Sequence, residues 1–509
     1  MTERLRLAEL MAALSLATDL GMGQPLEQAL RTCLIATALG ERLGLKGEEL
    51  SEVYYVALLR FLGCSADAHE FAEMVGGDDI ALRAAIAPVL GGARREFASQ
   101  VMPKVGAGLG PIRRARLLAG LLRSGGERGR DGVRAGCELG ENLATRIGLP
   151  QGVRRGLATA FEQWSGRGLP DGVAGEHIAL SSRIVFVARD AEVLERAGGH
   201  DRVGAALRAR SGIAYDPAVA SLFLIHLNEL LEAADTTSPW DAVLDREPEP
   251  HPWVPEARLD STLEAFADFV DLKSPCTAGH SRGVAALAAG AWPADPITLR
   301  RAGLVHDLGR MSAPNGIWDK PARLTDGEWE RVRLHPYYSE RIIARVARLA
   351  PLATLAGMHH ERVDGSGYHR GSQRPDIPAP ARVLAAADVY QAMTQPRPHR
   401  QARSRDEAAE ILRAEARAGR LDVYAVDDVL TEAGHQSQPI RRAWPAGLSE
   451  REVEVLRLIC RGGTKKQAAS LLRISPSTVD HHVRHIYEKV GVATRAGAAL
   501  FAVENGLLE

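Results

Sequence analysis

The chain is 509 residues long, too long for one typical core, so two to four domains are expected. Hydrophobic residues make up 45% and charged residues 25%, which excludes a disordered or membrane-embedded class, and the net charge of −1 confines any nucleic-acid contact to a local patch. Aromatics are only 5% while Ala, Leu, Arg and Glu dominate, so the chain is predicted to be all-α.

The five cysteines (Cys33, Cys64, Cys137, Cys276, Cys460) are scattered without CxxC spacing, as expected of reduced thiols. No leader-like segment opens the chain and no apolar run reaches a membrane span, which leads us to expect a cytoplasmic protein with no membrane partner.

Residues 1–235 form the first expected domain. Apolar positions recur at helical spacing in Leu7-Leu10-Met11-Leu14, Leu26-Leu30-Leu34 and Val53 to Leu59, and the Gly- and Arg-rich stretch 107–133 reads as one helix between loops. Three segments here echo segments downstream. Ala57 to Gly63 parallels Gly303 to Gly309, Phe161 to Pro170 parallels His360 to His369, and Ser182 to Arg189 parallels Ala381 to Asp388. The last two lie about 200 residues apart, too far for a solenoid, which suggests an internal repeat. The first has a wider offset, so the earlier copy needs an insertion after Gly63. The histidines and aspartates of the later copy are replaced in the earlier one, by Arg60-Phe61, Ala160-Phe161 and Arg189.

Residues 236–256 hold five prolines and alternating acids and read as an extended connector. Helical spacing resumes at Leu259-Leu263-Phe266-Phe269. Pro296 is placed to start a helix and Gly309 to stop it. His280, His306, Asp307, His335, His359, His360 and Asp388 fall in this region at helical positions, where imidazoles and carboxylates are costly unless something binds them. Imidazole and carboxylate without thiolate suit divalent iron or manganese.

The run Gly279-His280-Ser281, His306-Asp307-Leu308-Gly309, Lys320-Pro321, His335-Pro336, His359-His360-Glu361, Asp364 to Tyr368, Ile377-Pro378 and Ala381-Arg382 with Asp388 resembles an HD-GYP phosphohydrolase domain over residues 257–435. The resemblance implies two divalent metal ions, with Asp307 bridging, His280, His306 and Asp388 on one ion, and His335, His359 and His360 on the other. It implies hydrolysis of a cyclic dinucleotide, cyclic di-GMP in the family. Asp307 and Arg310 are the expected catalytic residues; Arg310, Gly367, Tyr368 and Arg382 are the expected substrate contacts. Three positions depart from the family. Arg310 stands for the usual Lys, and a planar fork is not a point ammonium. His369 stands for the proline of Gly-Tyr-Pro, and Cys276 for a glutamate that recruits a third metal in some members. A catalytically weak metal-binding sensor, or a phosphohydrolase of another nucleotide or phosphate ester, stays open.

Residues 436–446 read as a second linker. In 447–509, Ser449 with Glu452 forms a capping box, a short helix follows from Lys465, and Ser475-Pro476 opens a polar-faced helix, which is a helix-turn-helix arrangement. The stretch resembles a four-helix LuxR-type DNA-binding domain, closing on Gly506-Leu507-Leu508. Expected DNA contacts are Lys465, Lys466, Arg484 and Lys489 at phosphates and Asp480, His481 and Arg484 at bases, with Thr478 a further contact. The family resemblance implies a homodimer bound to DNA.

Overall fold

The computed structural model describes residues 5–89, 97–438, 440, 443–505 and 507–508; Pro439, Arg441 and Arg442 of the second linker and the closing Gly506 lie outside them. The fold is all-α: the described residues contain helices and isolated bridges but no strand.

One hydrophobic core runs without a break from Leu5 to Ala433. Helix Leu7–Gly21 lies at its centre and is buried along nearly all its length, consistent with apolar residues on every face. It packs between helix Gly47–Leu59 on one side and the segment Leu308–Ser312 with helix His335–Ile343 on the other. The 236–256 segment is therefore no extended connector. Pro239 starts helix Pro239–Asp245, which buries Trp240 and Val243, and the buried Glu247 accepts hydrogen bonds from Arg6 Nε at 2.8 Å and the Tyr55 hydroxyl at 2.5 Å. Proline here sets a helix start.

The echoing segments share local geometry. Glu162 accepts hydrogen bonds from the amides of Asp171 and Gly172, and Glu361 from those of Arg370 and Ser372. Asp216 caps helix Pro217–Ile225 and pairs with Arg183 at 2.6 Å; Asp422 caps helix Val423–Glu432 and pairs with Arg382 at 2.5 Å. A Cβ on Gly63 would lie 1.7 Å from the Gly136 carbonyl oxygen, and one on Gly309 would lie 2.0 Å from that of His335. Both glycines let a following helix approach the backbone directly. This is the role of Gly309, because the preceding helix, Pro296–Val305, has already ended. The residues after Gly63 build helices Ala68–Val75 and Asp79–Ile86 and the start of the 37-residue helix Pro111–Ile147, around a small core of Val75, Leu82, Val101 and Val105.

The C-terminal helices Glu450–Cys460, Lys465–Leu472, Pro476–Val490 and Arg495–Glu504 enclose a separate core. Trp444, from the second linker, belongs to it, and its indole N–H donates to Glu450 at 2.9 Å.

Replacing Gly309 with alanine should lower unfolding free energy in urea by about 1–3 kcal/mol, the usual cost of overpacking. An unchanged midpoint would contradict the close approach.

Candidate metal centre and its cavity

Six of the seven histidine and aspartate ligand candidates sit where helices begin or end. His280 opens helix His280–Gly290, whose start is held by Asp271 accepting from the Ser281 amide at 2.8 Å and hydroxyl at 2.7 Å. His306 and Asp307 follow the end of helix Pro296–Val305, and His335 opens helix His335–Ile343. His359 and His360 follow helix Ala350–Gly357, and Asp388 lies inside helix Ala379–Thr394.

Three imidazoles are oriented alike. Nδ1 of His306, His335 and His359 lies 2.7, 2.6 and 2.5 Å from the carbonyl oxygens of Gly303, Val332 and Ala356, three residues earlier in each case. Donation from Nδ1 leaves each Nε2 facing inward as a metal donor. His280 is oriented by the side-chain oxygen of Gln395 instead, 2.9 Å from its Nδ1.

The two oxygens of Asp307 face different partners. Oδ1 lies 3.3 Å from His335 Nε2 and 3.6 Å from His359 Nε2; Oδ2 lies 3.5 Å from His306 Nε2, 3.9 Å from His280 Nε2 and 3.0 Å from Arg310 Nη1. Asp388 approaches His280 Nε2 at 3.1 Å and His360 Nδ1 at 3.5 Å. Donor atoms gather into the sets His335-His359-His360, His280-His306-Asp388 and His306-Asp307-His359.

Electrostatics keep the donors ready. Burial lowers His306 and, with the neighbouring His359, holds His360 well below the ordinary 6.5. Burial alone would raise Asp307, yet His306 and Arg310 hold it well below 3.8, and His280 and His360 do the same for Asp388. Neutral imidazoles and ionised carboxylates are the forms that bind metal. His306 Nε2 is buried without a hydrogen-bond partner among the described residues. Such a donor set fits divalent cations.

Above the cluster opens a cavity of about 590 Å³. His280, Asp307, His335, His360 and Asp388 lie at its floor with Arg310 and Tyr368; Cys276 also lines it. The Arg310 guanidinium lies 4.3 Å from the Trp318 ring centroid. The walls add Lys320, Arg323, Arg397 and Arg400 with Trp329 and His399. Cations interleaved with aromatic faces suit phosphates and stacked bases. Arg397, half-buried, falls to about 10, chiefly through desolvation with Arg310 adding to it, and so stays charged at neutral pH.

Two expected substrate contacts lie elsewhere. Arg382 is engaged by Asp422, outside the cavity lining. Gly367 does not line it either; a Cβ there would meet the Arg362 amide nitrogen at 2.4 Å, so it is required for packing. His369 lies against Tyr337, with ring centroids 5.6 Å apart. Gln395, Trp318, Arg397 and Arg400 were not singled out from sequence. The run Arg397-Pro398-His399-Arg400 carries a local basic signal; Gln395 carries none.

On the C-terminal domain, Lys465, Lys466, Thr478, His481 and Arg484 are exposed. Asp480 pairs with Lys465 and with Arg484 at 3.3 Å, and Lys489 pairs with the buried Glu452 at 2.6 Å. The Lys489 ammonium thus ties the recognition helix to the first helix of that domain.

Fold and site together define an HD-domain, metal-dependent phosphohydrolase joined to a helix-turn-helix module. Residues 264–424 match the HD domain family and residues 446–502 the luxR family of bacterial regulatory proteins. The chain is 32% identical over 415 residues to 3′3′-cGAMP-specific phosphodiesterase 3 of Vibrio cholerae, covering 80% of this chain and 90% of that protein. A cyclic di-GMP phosphodiesterase of Pseudomonas aeruginosa is 41% identical over 100 residues, 19% of this chain and 24% of the relative. The crystal structure of a cyclic GMP-AMP-specific phosphodiesterase of V. cholerae superposes with a TM-score of 0.59 at 27% identity, covering 85% of this chain and 99% of that one. The chain belongs to the HD-GYP cyclic dinucleotide phosphodiesterases and ends in a LuxR-type domain. No helix of the described residues is long and apolar enough to cross a membrane.

In the metal-free protein burial makes His306 and His360 protonate at lower pH when folded than the ordinary 6.5 of the unfolded chain. Their contribution to stability is complete above that pH and is lost as pH falls below it. Urea unfolding in chelator should therefore show stability falling from pH 7 toward 5; a flat profile would contradict the buried neutral imidazoles.

Proposed function

We propose that residues 257–435 hydrolyse a guanine-containing cyclic dinucleotide and that the C-terminal domain binds DNA as a homodimer in the cytoplasm, with residues 1–235 acting as a metal-free copy of the catalytic fold. The observation that carries the catalytic reading is Asp307, whose two oxygens face separate histidine sets on the floor of a cationic, aromatic-walled cavity. In this reading His280, His306 and Asp388 would hold one divalent ion, iron or manganese, and His335, His359 and His360 a second, with Asp307 available to both. Bound divalent ions supply Lewis acidity toward a phosphoryl oxygen and lower the pKa of the attacking water.

The chain's own residues hold the substrate. Arg310, fixed by Asp307 and Trp318, meets the developing charge on the phosphoryl group. Lys320, Arg397 and Arg400 hold the second phosphate, while Trp318, Trp329 and Tyr368 offer faces to the bases. 3′3′-cGAMP is placed first among substrates, because the relative specific for it aligns over most of both chains, and cyclic di-GMP second. The direct contact of Arg310 with Asp307 favours one further reading, a site that binds the nucleotide and turns it over slowly.

Chromatographic turnover assays with 3′3′-cGAMP, cyclic di-GMP and cyclic di-AMP test the assignment. Preference for a guanine-containing substrate is expected, and Arg310→Ala should lower kcat/KM by about 100-fold. Tight binding without turnover of any of the three would leave a sensor.

For the DNA-binding domain, affinity for the protein's own promoter fragments should fall with salt. Lys466→Ala and Arg484→Ala should each reduce the log–log slope by about 1. Lys489→Ala should change it less, because Glu452 already holds that ammonium. Salt-independent binding would contradict phosphate contacts.

A further inference from the structure

The earlier copy has its own cluster at the positions that echo the metal ligands. Arg60 and Phe61 stand where the later copy has His306 and Asp307, Phe161 where it has His360, and Arg189 where it has Asp388. These residues come together in space. The Arg60 guanidinium lies 4.9 Å from the ring centroids of both Phe161 and Phe186, and that of Arg189 lies 5.8 Å from Phe61. The site that gathers ligands for cations in one copy thus gathers cations in the other.

Arg60 is 6% exposed, and its Nε and Nη1 are buried without a hydrogen-bond partner among the described residues. It also lines a cavity of about 90 Å³ with Cys64, Arg83, Gly136, Cys137 and Phe161. Among the described residues no carboxylate pairs with it. Asp67 is engaged by Arg83 at 2.8 Å. Asp190 is engaged by Arg189 at 2.9 Å and by the Tyr215 hydroxyl, and Glu162 accepts from loop amides. The two thiols are no substitute: burial pushes Cys64 up to about 12 and Cys137 up to about 11, so both stay protonated. The phenyl faces attract the cation but accept no directed N–H bond of ordinary strength.

A buried guanidinium with unpartnered N–H groups that lines a cavity is the complement of an anion. The size restricts which one. About 90 Å³ is the share of roughly three liquid waters, enough for one small oxyanion and too little for a nucleoside. We propose that the earlier copy is a binding site for a small inorganic oxyanion of the phosphate or sulfate class, held by the Arg60 guanidinium. The site is separate from the metal centre and does not depend on which nucleotide that centre cleaves. Helix Leu7–Gly21 packs against both helix Gly47–Leu59, which leads directly into Arg60, and the segment Leu308–Ser312 beside Asp307, so the anion site and the metal centre share one rigid neighbour.

Equilibrium dialysis of the full-length, metal-loaded protein against labelled inorganic phosphate tests this, with Arg60→Met, Arg60→Lys and Cys137→Met as variants. All retain the metal centre, so differences between them report the Arg60 site. Wild type should bind one phosphate per chain more than Arg60→Met. Arg60→Lys should bind it about tenfold more weakly, through loss of the fork. Cys137→Met keeps Arg60 and fills the cavity, so it should also lose the phosphate, and it carries the test if Arg60→Met does not fold. Equal phosphate stoichiometry in wild type and Cys137→Met, or a phosphate-soaked crystal with only water beside Arg60, would overturn the proposal.

Discussion

Asp307 is a buried carboxylate with four imidazoles and one guanidinium at 3.0 to 3.9 Å, and much of the molecule is arranged to make that tolerable. A carboxylate out of water is costly unless it is paired, and imidazoles placed so closely repel once protonated. Backbone carbonyls fix three of the rings with Nε2 inward, Gln395 fixes the fourth, and Arg310 supplies permanent charge. Divalent cations resolve the remaining conflict, since they favour ionised carboxylates and neutral imidazoles together.

That arrangement needs a rigid surround. The segment after Asp307 packs on helix Leu7–Gly21, Gly309 touches helix His335–Ile343, and the Asn315 amide donates to Asp79 of the earlier copy at 2.8 Å. His69 of the earlier copy meets Asp319, which also accepts from Ser274, beside the cavity. Residues 1–235 and 257–435 therefore share one core, and the N-terminal residues support the loop that carries Asp307. The C-terminal domain keeps a core of its own.

Much of this was legible in the sequence because metal ligands are few in type and strict in order. The seven candidates were all readable, as were the caps at Ser449 and Ser475, since each motif expresses a local rule. What escaped depended on distance. Gln395 reaches His280 across 115 positions, and no local pattern marks it. Arg382 was expected at the substrate, but Asp422 lies close enough to hold it. The 236–256 segment looked like a connector because proline and acid content report local backbone preference, whereas the burial of Trp240 and Glu247 is a tertiary effect.

The central claim is a binuclear centre that cleaves a cyclic dinucleotide. Its most direct test is bound-metal stoichiometry of the purified full-length protein, measured together with 3′3′-cGAMP turnover, for wild type and the His306→Ala, Asp307→Ala double variant. Wild type should carry two divalent ions per chain and turn the substrate over, and the variant should lose both. A wild-type protein that binds no metal, or a variant that still cleaves at the wild-type rate, would contradict the claim.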